Sequence, residues 1–186
     1  MDITTTLSVA TRKTWRDWLL KHHLIEKEVW LIYPHKQTGK ARLTYNDAVE
    51  EALCFGWIDS TVKRLDADHS AQRFSPRNPK SPYSQTNKER LRWLIKHDQV
   101  MPEVQATLGD LLTEAFEIPA DIKQALQANP LAWHNFQQFS GPYQRIRVAY
   151  VDGARKRPAE FQKRLNNFIR RMEQNKQFGY GIEKYY

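Results

Sequence analysis

Arg77, Lys80 and Ser81 stand just ahead of Ser84 and Asn87 in the string RFSPRNPKSPYSQTNKERL, and of all the side chains in this sequence they are the best suited to hold an anion. Ser84 reads as the N-cap of a helix whose apolar positions are Leu91, Leu94 and Ile95. A helix start presents unpaired N–H groups and the positive end of the helix dipole. Arg77 adds a planar fork of donors that meets a phosphate or carboxylate in bidentate fashion, while Trp57 or Tyr83 offers an apolar wall on which a ring can stack. A competing arrangement pairs Arg77 with Asp59 and leaves Ser84 and Asn87 to cap and brace the loop. The residues alone admit both. The expected ligand-binding set is Trp57, Asp59, Arg77, Lys80, Ser81, Tyr83, Ser84 and Asn87.

No catalytic constellation accompanies that set. The six histidines have no partner spacing that makes a zinc or iron site, so neither a metal nor a cofactor is expected. Asp59 and Ser60 are neighbours on an extended run and point to opposite faces, so they cannot serve His69 together as a triad. Thr38-Gly39-Lys40 lacks the earlier glycine and the following Ser or Thr of a phosphate-binding loop, since Ala41 stands there. Lys36, Lys40 and Arg42 are candidates for a pocket rim or for plain solvation. Glu50 and Glu51 read as a solvated pair on the polar side of a helix. The lone Cys54 reads as a small core residue, because a nucleophilic thiol needs a depressed pKa and exposure.

The elements that must position these residues can be read in order. Residues 11–23 give a helix with Trp15, Trp18, Leu19 and His22 on one stripe, and EKEVWLIY reads as a strand buried on both faces. Thr44 caps a second helix with Asp47 three residues on, and Gly56 closes it in the left-handed conformation. WIDSTVKRL then alternates Trp57, Asp59, Thr61 and Lys63 against Ile58, Ser60, Val62 and Arg64. With a turn at Asp66 to His69 and a return strand near Ala71 to Ser75, it makes a hairpin. Residues 98–118 read as an irregular or weakly helical connector. Residues 120–175 are helical in pattern, with Pro119, Pro130, Pro142 and Pro158 at helix starts. The tail FGYGIEKYY is either disordered or tied down by its tyrosines.

The strings ALCFGWIDS, FSPRNPKS and VWLIYPHKQTGK, with the serine, asparagine and helix that follow, resemble the bacterial YdeI/OmpD-associated family from about Trp15 to about Met172. The chain differs from that family's usual pattern at Tyr83, at His35 and around Asp98 to Met101. The resemblance implies a YjbR/CyaY-like α+β fold followed by a helical region, and a role in bacteriocin protection. It defines no catalytic residues.

Patterning and resemblance together predict an α+β protein: a small antiparallel sheet packed with helices over residues 1–115, then an all-helical region over 116–186. The hydrophobic fraction of 40% and the aromatic content exclude intrinsic disorder. No apolar run is long enough to span a membrane, the polar N-terminus lacks the order of a signal peptide, and one cysteine fits a reducing compartment, so a cytoplasmic address is expected. The formal net charge of +8 is uneven: residues 72–97 carry seven Lys or Arg against Glu89, and residues 145–176 carry ten against Asp152, Glu160 and Glu173. Two basic segments on an otherwise acidic chain point to an anionic small molecule or acidic partner, with nucleic acid as a further alternative, or else to solvated helix faces. An anion-binding protein with a protective role is the preferred reading. An enzyme acting on a phosphorylated or carboxylated small molecule, with Asp59 as general base, is the other.

Overall fold

A computed structural model describes residues 2–179, 181 and 183–185, and of Lys36 the backbone alone. The expected place of Lys36 at a pocket rim, and the parts of the tail expectation that fall on Tyr180, Ile182 and Tyr186, lie outside the described residues. The chain divides into two compact units, residues 1–83 with 91–109, and residues 84–90 with 110–186.

The first unit is built on a four-stranded sheet in the order β1-β2-β4-β3. Its strands are β1 (Thr6–Leu7), β2 (Val29–Pro34), β3 (Trp57–Arg64) and β4 (His69–Pro76). The hairpin and β2 pair antiparallel as the patterning requires, and the two-residue β1 adds a parallel edge on β2 that no periodicity announced. Helices α1 (Arg12–His22) and α2 (Tyr45–Cys54) accompany the sheet. Val29, Leu31 and Phe74 share a face by register, and there Trp15 of α1 meets Phe74 edge-on with ring centroids 5.5 Å apart. Trp15, Leu19, Val49, Leu53 and Trp57 complete a core with almost no exposure. Each large indole also needs an acceptor when buried. Trp15 donates to the Ala48 carbonyl and Trp57 to that of His23, each at 3.0 Å.

Helix α2 begins as its sequence dictates, with the Thr44 hydroxyl accepting from the Asp47 N–H at 3.1 Å and donating to the Asp47 carboxylate at 2.7 Å. Gly56 ends it at φ +71, a conformation that costs an L-residue about 1–2 kcal/mol. In the hairpin the simple alternation fails. Asp59 pairs with Phe74 and Val62 with Gln72, so three residues of β3 span two of β4, and this bulge brings Val62 and Arg64 onto the face of Trp57 and Asp59. Thr61 and Lys63, expected on that face, are displaced from it.

Helix α3 (Gln85–Lys96) carries the boundary between the units after Arg90. The connector is ordered into a short α4 (Pro102–Ala106) and a 3₁₀ turn at Gly109–Leu112. The second unit is helical: α5 (Ala120–Gln127), α6 (Pro130–Gln138), α7 (Gly141–Asp152) and α8 (Pro158–Glu173), each with proline at or just before its first turn. Their apolar faces close around Ile122, Leu126, Phe136, Tyr143, Val151, Phe168 and Met172. Among the described residues that region contains no strand, as the α+β expectation requires. The described part of the tail is tied down, since the Phe178 N–H donates to the Tyr143 hydroxyl at 3.3 Å and Tyr185 is buried.

Candidate functional site

The loop after β4 folds upon Arg77. Its guanidinium lies 3.5 Å from the centre of the Tyr83 ring, and its two terminal nitrogens donate to the carbonyls of Asn78 (3.2 Å) and Ser81. The Arg77 N–H is bound to the Gly56 carbonyl at 2.9 Å, and Asn78 accepts from the Lys80 N–H at 3.0 Å. Arg77, Ser81 and Tyr83 are therefore brought together as expected, but two of the five donors of the guanidinium go to the loop's own backbone, and the arginine itself covers the ring of Tyr83. Lys80 and Ser81 are exposed. Ser84 and Asn87 lie in the second unit, where the Ser84 hydroxyl accepts from the Asn87 N–H at 3.3 Å and the Asn87 side chain accepts from Arg90 at 2.8 Å.

Trp57 and Asp59 stand in different surroundings. Trp57 is 1% exposed and meets Trp18 edge-on, so it is a wall of the core. Asp59 accepts from the Tyr45 hydroxyl at 3.0 Å and the Gln72 amide at 2.9 Å. Those two donors occupy the place that the competing arrangement gave to Arg77. The same carboxylate, together with burial, which is the larger cause, raises the pKa of the neighbouring Tyr33 phenol above the usual tyrosine value.

The expectation that Glu50 and Glu51 are solvated is overturned. They are 0% and 2% exposed, because α1 lays Arg12 and Arg16 over the polar side of α2. Arg12 donates to Glu50 (2.7 Å), to Glu51, to Asp47 (3.2 Å) and to the Gln99 side chain (3.0 Å). Arg16 donates to Glu51 at 2.7 Å and to the Gln99 carbonyl at 2.9 Å. Burial acts to lower the Arg12 pKa, but the hydrogen bonds and charges of Glu51 and Glu50 outweigh it and hold the guanidinium above its ordinary value. Cys54 sits behind this cluster, and burial first, then the charge of Glu51, pushes its thiol up to about 12. The groove of about 470 Å³ beside these groups is lined by Arg12, Lys13, Arg16, Glu51, Asp98 and Gln99. Of the three cations there, Arg12 and Arg16 are paired with Asp47, Glu50 and Glu51, and Lys13 is paired with Asp17 at 2.6 Å, so their charge is already answered within the protein. The sequence signal was present: two arginines one helical turn apart match an adjacent pair of glutamates.

The basic segment over residues 145–176 is sorted differently. Arg145 grips the buried Glu89 with two hydrogen bonds of 2.7 and 2.9 Å, Arg155 takes Asp121 and Asp152, and Arg164 takes Glu160. Arg147 is 6% exposed, with its guanidinium carbon 5.1 Å from the centre of the Phe178 ring. Lys156, Arg157, Lys163 and Arg170 remain exposed with no ion pair among the described residues. Lys163, Asn166, Asn167 and Arg170 line a shallow concavity of about 370 Å³ on α8, with Arg170 donating to Asn167 at 3.0 Å. Arg171, its neighbour, is half-buried. Charge count alone could not separate these roles, because it does not show which arginines find a carboxylate.

Among the described residues no helix is long and apolar enough to cross a membrane. Comparison with known proteins adds two family matches. Residues 115–175 match the family described as bacteriocin-protection, YdeI or OmpD-associated, and residues 7–107 match a domain of unknown function, DUF8412. The three strings that carry the family resemblance in the sequence lie within the second of these spans. No curated protein and no solved structure matches the chain. The chain therefore belongs to the DUF8412 family, whose model covers more than half of it, while its similarity to the YdeI/OmpD-associated bacteriocin-protection family is confined to residues 115–175.

Proposed function

We propose that this is a binding protein that holds an anionic partner on the basic face of α8, and that it serves a protective role of the kind named in the description of its C-terminal family, acting in the cytoplasm. The observation that carries this reading is the sorting of charge within that family's span. Arg155 and Arg164 take up Asp121, Asp152 and Glu160, while Lys163 and Arg170 flank two carboxamides over an open concavity without an ion pair of their own among the described residues. A phosphate or carboxylate placed there gains charge-assisted hydrogen bonds at small desolvation cost, because the cations are already at the surface. A partner carrying several such groups is needed, since exposed single pairs contribute only about 0–1 kcal/mol each.

The test is fluorescence anisotropy in low salt with two labelled polyanions, poly-glutamate and single-stranded DNA, against the wild type and a Lys163→Glu/Arg170→Glu variant. Binding that the double reversal abolishes, with the melting temperature unchanged, is expected. Equal affinity in both proteins refutes the surface, and the preferred probe tells an acidic protein from a nucleic acid.

A further inference from the structure

The sheet of the first unit has a second face, and one end of it carries a pocket. By register Pro34 pairs with His69 and Ile32 with Ala71, which places these side chains opposite the face that meets Trp15. A pocket of about 270 Å³ opens there, lined by Val9, Ile32 and Pro34 among its apolar groups and by Ser8, Lys40 and His69 as its polar ones. Among the described residues no acidic side chain lines it. Lys40 has no ion pair among the described residues, and Ser8 and Lys40 are exposed at the mouth.

His69 is held from behind. Its Nδ1 lies 3.0 and 3.1 Å from the two oxygens of Asp66, and one of those oxygens also accepts the N–H groups of Asp68 (2.7 Å) and His69 (2.8 Å). The Asp68 N–H first, then the His69 ring, hold the Asp66 carboxyl below the usual carboxylate range. An ionised carboxylate only accepts, so the hydrogen of the imidazole sits on Nδ1 and Nε2 is the nitrogen left over. Asp66 thus orients the ring.

We propose that this pocket is a binding site for a small monocarboxylate with an apolar body. The carboxylate pairs with the Lys40 ammonium and accepts from the Ser8 hydroxyl, with the His69 ring, oriented by Asp66, beside it on the pocket wall, while the apolar body lies against Val9, Ile32 and Pro34. A few placed polar groups on a mainly apolar wall is the composition expected of a small-molecule site. A phosphate lacks a group to cover the apolar wall, and a neutral amide lacks the charge that answers Lys40. This site is independent of the basic face of α8, and either can fail alone.

The experiment uses the full chain and four probes: butyrate, benzoate, butyramide and inorganic phosphate. Binding is followed by the shift of the His69 ring nitrogens in long-range ¹H–¹⁵N spectra, and melting temperature is measured in parallel. Saturable shifts of His69 with butyrate or benzoate are expected, together with a raised melting temperature. Butyramide should leave both unmoved and phosphate should bind at least tenfold more weakly. Lys40→Met should weaken the acids at least tenfold without altering the unliganded midpoint, since Lys40 is exposed. Ala41→Trp, which fills the mouth from another exposed position, should abolish the shift. Acid and amide binding alike, no His69 response up to tens of millimolar, or full affinity in Lys40→Met overturns the proposal.

Discussion

Arg145 and Glu89 meet in a side-on pair, Nε to Oε1 at 2.7 Å and Nη2 to Oε2 at 2.9 Å, with the glutamate 2% exposed and the two residues 56 positions apart. The pair binds the short stretch 84–90 to the helices of the second unit, to which that stretch belongs. Removing one partner of a fully buried pair costs about 3–5 kcal/mol, but Arg145 is 27% exposed and Gln85 also donates to Glu89 at 2.7 Å, so the loss expected here is that of charge-assisted hydrogen bonds, about 1.5–3 kcal/mol. Arg145→Ala should therefore lower the stability measured by urea unfolding by that amount, and Arg145→Lys should recover little of it, because a point charge does not reproduce the fork. A loss below about 1 kcal/mol would show the pair to be incidental.

Glu28 links the start of the chain to the sheet. Its carboxylate accepts from the Thr4 hydroxyl at 2.6 Å and from Arg73 at 2.6 Å, and in that order of strength these bonds hold its pKa below the ordinary glutamate value. A depressed carboxyl contributes stability that is fully present above its unfolded pKa and is lost as pH falls through the folded one. Stability should accordingly decline as pH drops below about 4.5. Glu28→Gln should reduce that acid slope and cost about 1–2 kcal/mol at neutral pH. An identical pH profile in the two proteins would contradict the role given to Glu28.

Cys54 is fully buried, with its thiol pushed up to about 12, so it should resist alkylation by iodoacetamide at pH 8 in the native protein and react readily in denaturant. Native labelling at the rate of an unhindered thiol would mean that the Arg12–Glu51 cluster opens freely.

Arg77 is expected to act on the loop itself. With its donors on Asn78 and Ser81 and its plane over Tyr83, Arg77→Ala should lower the melting midpoint by an amount worth about 1–2 kcal/mol. Any stabilisation by sulfate should persist in the variant. A response to sulfate that vanishes while the unliganded midpoint holds would return Arg77 to the anion cradle.

What was legible in the sequence follows from how local each signal is. Thr44, Asp47 and Gly56 mark the ends of α2 through bonds that span three residues or fewer, and the structure places them as read. Trp15, Leu19 and Val29 declare a core by period alone. The bulge between Asp59 and Val62 left no mark in the residue types, and it moved Val62 and Arg64 to another face. Glu50 and Glu51 were misread for a related reason. Their burial depends on Arg12 and Arg16, more than thirty positions away, and a helix read by itself shows only that its charged side is polar. The candidate site was the least legible, since whether Arg77 faces a ligand or its own loop depends on the positions of Asn78, Ser81 and Tyr83 in space.

The salt dependence of polyanion binding by the wild type and by Arg170→Gln tests the basic face of α8 as a binding surface. If Lys163 and Arg170 contact the anionic groups of the partner, the logarithm of the association constant should fall linearly with the logarithm of salt concentration, and Arg170→Gln should reduce the slope by about 1 while weakening binding alike for every DNA sequence or acidic polymer that binds. An unchanged slope and affinity in Arg170→Gln, or no binding by the wild type at low salt, would rule out the basic face of α8 as the surface that holds an anionic partner.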